Sequence, residues 1–217
     1  VPEPARIELL IDYLLGTCIV YYSGSLYDSV FGLKPNKAKF DSKEMRQGLF
    51  RKIQQEADPG SANRNWNDTT AMVIRGDALM QMHGDWMKGE FAGAKKVIGV
   101  DYDTMLPPGT NGIQVTIDAE TFLKPKDQIK KNSIEAFFGI MLQREITEQF
   151  SIIKGCTPVR LDATKGIDKH AKMVLEALGK KNYGHPVRNI TMNNDFAGAY
   201  ANLADKFWNT PAMTADQ

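Results

Sequence analysis

The chain has 217 residues, 42% of them hydrophobic, and a formal charge of +1 from 27 Lys and Arg against 26 Asp and Glu. That is enough for one large domain or two small ones with a buried core. The balanced charge supplies no positive field for a phosphate backbone, so nucleic acid is not an expected partner. The longest apolar stretches, residues 7–15 and 137–142, fall short of the roughly 20 residues that cross a bilayer.

Residues 4–16 place Ile7, Leu10, Ile11, Leu14 and Leu15 on one helical face. A second helix is predicted over residues 41–57, opened by the capping-box-like pair Asp41 and Glu44 and stopped by Asp58-Pro59-Gly60. Asn67 or Asp68 is expected to cap a short helix that Gly76 ends. Residues 78–82 read as a strand, and Gly84-Asp85 breaks it to open a helix over residues 86–96. Residues 103–110, with Pro107-Pro108-Gly109, read as a loop. Ile113, Val115 and Ile117 alternate with Gln114, Thr116 and Asp118, the pattern of a half-buried strand.

Helices are predicted over residues 127–142 and 146–153, before the turn Gly155-Cys156-Thr157-Pro158, and then over 168–178 and 193–208. The tail over residues 210–217 is expected to be loose. Short strands separated by helices favour a helix-rich α/β fold. The two or three strands are fewer than an independent sheet usually holds.

Two cysteines, Cys18 and Cys156, stand in no metal-ligand spacing and are expected as buried free thiols. His83 and His170 each lack a second ligand at helical or strand spacing, so no metal is expected, and no cofactor motif is present. The run Lys124, Lys126, Lys130 and Lys131 reads as a solvated face, and Met72, Met80, Met82 and Met87 as adaptable core.

The most informative stretch runs from Arg64 to Trp86. It carries Trp66 before a helix, a small-residue and Met pattern, Gly76, a predicted strand, and Gly84-Asp85-Trp86. An indole offers a flat apolar surface with an N–H at its edge, which matches the apolar C–H face and polar rim of a pyranose. Trp66 and Trp86, 20 residues apart, both stand at element junctions from which a ring can project, whereas Trp208 reads as a packing residue of the last helix.

Further landmarks follow in order: Lys88-Gly89-Glu90-Phe91, Gly99-Val100-Asp101-Tyr102, Pro107-Pro108-Gly109-Thr110, and Lys154-Gly155-Cys156-Thr157-Pro158-Val159-Arg160. On these residues the stretch 63–160 resembles family 1 extracellular solute-binding proteins, particularly the glucose and mannose binders. The resemblance implies a two-lobed periplasmic-binding-protein fold of class II. Residues 1–209 would be the carboxy-terminal lobe plus hinge segments, with the amino-terminal lobe largely missing. It implies a monosaccharide ligand, permease subunits of an ABC importer as partners, a periplasmic location and no catalysis.

By the same resemblance Asp118 accepts sugar hydroxyl protons and Lys154 donates to ring substituents, with Glu120 a competitor for the role of Asp118. The family's late histidine corresponds to His185 or Arg188. An export signal would lie upstream of Val1. The chain is expected as a fragment that binds sugar weakly alone, since it lacks an opposing wall. Two other functions are open to the sequence. One is a glycoside hydrolase-like domain using a pair among Asp85, Glu90, Asp118 and Glu120. The other is a non-binding interaction lobe or remnant.

Overall fold

The computed structural model describes residues 64–106, 112–187 and 193–213, together with residues 57, 58, 60 and 191. The helix expected over residues 4–16, all but the last residue of that over 41–57, Cys18, Arg188 and the end of the tail lie outside these. The described residues form a helix-rich α/β structure with one two-stranded sheet. They divide into two units. The first comprises the described parts of Val1–Gly84, Met105–Thr116 and Ala177–Gln217, and the second comprises Asp85–Thr104 and Ile117–Glu176.

In the first unit, α1 spans Trp66–Arg75. It starts before the expected cap at Asn67 or Asp68: Asn65 is the extended residue ahead of it, and the Asn65 carbonyl accepts from both the N–H and the hydroxyl of Thr69. Gly76 ends the helix as expected, at φ 85°, where its left-handed backbone costs glycine nothing.

The strand predicted over residues 78–82 is not formed. Gln81 instead turns back onto α1, where its Nε2 donates to the Trp66 carbonyl at 3.0 Å and its Oε1 accepts from the Thr70 hydroxyl at 2.7 Å. No neighbouring strand pairs with this segment among the described residues, and Leu79 is 91% exposed. An apolar segment does not make a strand without a ladder partner.

β1 (Ile113–Val115) pairs in parallel with β2 (Gly184–Pro186), in the register Gln114 opposite His185. The Ile113 N–H donates to the Tyr183 carbonyl at 2.8 Å, and the Val187 N–H donates to the Val115 carbonyl at 2.9 Å. Pro186 has no N–H to give, and the donor comes from the next residue along. β1 ends two residues short of Ile117, which is exposed. α6 (Asn194–Asn209) is capped by Asn193, whose side chain accepts from the Phe196 N–H at 2.8 Å, and it buries Tyr200, Ala201 and Ala204.

In the second unit a 3₁₀ turn, Asp85–Met87, leads into α2 (Lys88–Gly93), the two together occupying the place of the longer helix expected over residues 86–96. α3 (Gln128–Met141) opens on Asp127, whose carboxylate accepts from the Lys130 N–H at 2.8 Å. α4 (Arg144–Lys154) buries Thr147, Glu148 and Ser151. These polar groups are hydrogen-bonded, as burial requires: the Thr147 hydroxyl donates to the Met141 carbonyl, and Glu148 accepts from the Lys165 N–H. α5 (Lys169–Leu178) opens on Asp168, which accepts from the Ala171 N–H at 2.8 Å, and its last two residues fall in the first unit.

α4 stops at Gly155, at φ 81°. A Cβ there would press into the backbone of Lys88 and Gly89, and a Cβ on Gly89 would lie 2.9 Å from the Lys154 carbonyl oxygen. The two chains meet backbone to backbone. Replacing Gly155 with Ala combines a strained φ with a steric clash and is expected to cost more than about 2 kcal/mol of stability. Chemical denaturation should show a lower midpoint with an unchanged slope, while Gly93→Ala, in a helix and with a Cβ that meets nothing, should not lower the midpoint.

Candidate functional site

Three of the residues singled out from the sequence lie in the second unit. Asp118 follows β1 in the chain and Lys154 is the last residue of α4, and their side chains form an ion pair. Asp118 is 70% exposed and Lys154 37%, so the pair faces solvent. The Asp118 carboxylate accepting from Lys154 holds the amine's pKa above its ordinary value, against a smaller loss from desolvation. The Lys154 amine also stands 5.7 Å from the centre of the Phe150 ring, one helical turn back.

Trp86 lies in the middle of the 3₁₀ turn and is half-buried. The residues on either side of it are tied to the rest of the unit. Asp85 Oδ2 accepts from the Thr157 N–H at 2.6 Å and from the Thr157 hydroxyl at 2.8 Å. Lys88, 3% exposed, donates to both oxygens of Asp168 at 2.7 and 3.0 Å. Burial pushes the Asp168 carboxyl up, but the bonds from Lys88 and from the Ala171 N–H outweigh it and leave the pKa lowered. The turn that carries Trp86 and the turn that follows Lys154 are thereby locked together.

A cavity of about 50 Å³ lies beside Ser151, Cys156 and Asp168. Ligand pockets run from roughly 300 Å³ upward, so this space suits a water or two rather than a pyranose. Cys156 is a half-buried free thiol whose pKa is raised, first by burial.

The first unit holds the others. Trp66 opens α1, half-buried, with its ring centre 5.3 Å from that of His83 and tilted by 34°. His185 sits on β2 and is 2% exposed, its ring packed where a Cβ of Gly112 would stand. That burial gives His185 a packing role beside β1. Trp208 lies on α6, half-buried. Among the described residues no three His, Cys, Asp or Glu side chains converge as metal ligands. Among them also, no helix is long and apolar enough to cross a membrane.

No family model matches the chain. Comparison with curated proteins does find relatives. A probable sugar-binding periplasmic protein of Mesorhizobium japonicum is 34% identical over 169 residues, 74% of this chain and 40% of the relative. One of the same description from Rhizobium meliloti is 32% identical over 70% of this chain and 36% of the relative. An uncharacterized ABC transporter extracellular-binding protein of Pyrococcus horikoshii is 29% identical over 52% of this chain. The chain is similar to periplasmic sugar-binding proteins. The matched stretch spans about two fifths or less of the length of these sugar-binding periplasmic relatives.

The clamp residues Asp85, Lys88, Thr157 and Asp168 carry no motif that marks them as a group in this sugar-binding-like sequence. Asp85 stood out only as a carboxylate beside Trp86, and its partner is 72 residues away. The signal that could have joined them is the pairing of two glycine turns, Gly84-Asp85 and Gly155-Cys156, each followed by a polar residue or preceded by one.

Burial lowers the His83 pKa from 6.5 to about 4. Between those values the unfolded chain binds more protons than the folded one, so stability is fully present above pH 6.5 and is lost as pH falls toward 4. The loss attributable to His83 is on the order of 3 kcal/mol. Urea melts from pH 7 to 4 should show a decline that His83→Gln makes shallower. Equal slopes in the two proteins would assign the acid sensitivity elsewhere.

Proposed function

We propose that this chain is the carboxy-terminal lobe and adjoining hinge of a periplasmic sugar-binding protein that delivers a monosaccharide of the glucose or mannose type to the permease of an ABC importer. The observation that carries the reading is the solvent-facing Asp118–Lys154 pair at the end of α4, next to a turn locked against the one bearing Trp86. A sugar hydroxyl is both donor and acceptor. An acid and an amine side by side satisfy both functions of one hydroxyl, or one function of each of two neighbouring hydroxyls, with charge-assisted bonds.

The half-buried indole of Trp86 supplies an apolar face for the ring carbons. In the first unit, taken by itself, Trp66 is a second candidate stacking ring, and His83 against it limits the indole's freedom. The resemblance leaves His185 or Arg188 as a further polar contact; His185 is buried beside Gly112, and Arg188 lies outside the described residues. The names of the relatives support a sugar as the ligand class, the periplasm as the location and an ABC transporter as the recipient.

The reading is of binding rather than hydrolysis. A glycosidase needs two carboxyl groups roughly 5 to 10 Å apart across the bond it cleaves, and of the four carboxylates open to that role Asp85 is committed to Thr157 by two hydrogen bonds and Asp118 is paired with Lys154. Delivery follows when sugar favours a closed state that the permease recognises.

Titration of the natural full-length protein with glucose, mannose and galactose, followed by tryptophan emission and calorimetry, should give saturable binding to at least one. Trp86→Ala and Asp118→Asn should each weaken it by about tenfold or more, that is about 1.4 kcal/mol or more. A flat titration with all three sugars would sink the assignment.

A further inference from the structure

The three positions flanking Trp86 are held in three different ways. Asp85 binds the Thr157 backbone and hydroxyl. Lys88 is buried on Asp168, and Gly89 meets the Lys154 and Gly155 backbone with no room for a Cβ. Trp86 itself is left half-buried between them. Two of these three ties, those of Asp85 and Gly89, end on the stretch 154–157, which begins at Lys154. A displacement of the Trp86 backbone relative to that of Lys154 would therefore break the Asp85 clamp or separate the two glycine backbones.

The glycine contact is close but carries no directional bond. The carboxylate of Asp85 does, because one oxygen, Oδ2, accepts from a backbone N–H and from the side chain of the same residue, which fixes both distance and angle. Asp85 is also the residue covalently next to Trp86, so tying its side chain to Thr157 restrains the backbone from which the Trp86 side chain departs.

We infer that Asp85, through its double hydrogen bond to Thr157, is a positioning residue that fixes the Trp86 indole relative to the Lys154 amine and so sets ligand affinity without touching the ligand. The inference rests on the sugar-binding reading for its affinity consequence, but not for the position of the ring. A ligand that stacks on Trp86 and hydrogen-bonds Lys154 gains from both only when their spacing is preset, and loosening one end forfeits part of both contacts.

The test uses the natural full-length protein labelled with 5-fluorotryptophan, in which Trp86→Phe assigns the Trp86 resonance in the fluorine NMR spectrum. Without ligand, Asp85→Ala should shift or broaden that resonance and leave those of Trp66 and Trp208 in place. Thr157→Val, which keeps the backbone N–H bond, should do so less. Asp85→Asn, whose amide oxygen still accepts, should restore most of the wild-type position.

With sugar, affinity should fall about tenfold for Asp85→Ala and about threefold for Thr157→Val. Asp162→Asn, which removes an exposed ion pair with Arg160 elsewhere in the same unit, should change neither the spectrum nor the affinity. An unmoved Trp86 resonance in Asp85→Ala, or in Thr157→Val should the alanine variant not fold, overturns the proposal. So does an equal loss of affinity in Asp162→Asn. If the wild type binds no sugar, the functional reading falls, and the resonance alone decides whether Asp85 holds the ring.

Discussion

The second unit depends on a backbone approach that only glycine permits. Gly155 ends α4 in the left-handed region and brings its own chain against Gly89 at the start of α2. No side chain separates the two segments, so the groups just outside the contact fall within hydrogen-bonding reach. Asp85 meets Thr157, and the exposed end of α4 is brought up to the turn bearing Trp86. One steric permission thus fixes three elements at once. A larger residue at either glycine would open the contact and separate the turn bearing Trp86 from the end of α4.

Around that contact the unit divides its charges by burial. Lys88 is taken out of water and bonded twice to the half-buried Asp168, which joins it to the α5 N-terminus through the Ala171 N–H. Such a pair adds little net stability over an apolar substitute, but losing one partner leaves an uncompensated charge behind, so it fixes an arrangement. Asp118 and Lys154 form the opposite kind of pair: solvent reaches both, and its worth to stability is small. A pair of low intrinsic value can exchange its mutual bond for bonds to a ligand at little cost. The two pairs are in this way distinguished by depth.

Much of the helical part of this arrangement was legible in the sequence, because caps and glycines are local signals. Asp127, Asn193, Gly76 and Gly155 mark helix ends within a residue or two of where they fall. The strand partner was not legible. β2 contains Gly184, His185 and Pro186, none of which favours a strand by propensity, and it exists because β1 offers it a parallel ladder. The expected strand over residues 78–82 failed for the converse reason: it is apolar enough for a strand, but Gln81 found its partners on α1 instead.

The candidate site was legible to a similar depth. Trp66, Trp86, Asp118 and Lys154 could be selected because their residue types suit a carbohydrate, and pairing Asp118 with Lys154 across 36 residues is what the fold adds. His185 has the right chemistry but is packed inside the first unit, where a sequence motif carries no information about depth. Asp85 was visible only as a spare carboxylate. Its two bonds from Thr157 join segments 72 residues apart, and such a join depends on distances that residue type does not state. Ligand-facing side chains must match the chemistry of what they bind and so are written in residue type. The groups that hold them need only match each other, which leaves their role to be read from coordinates.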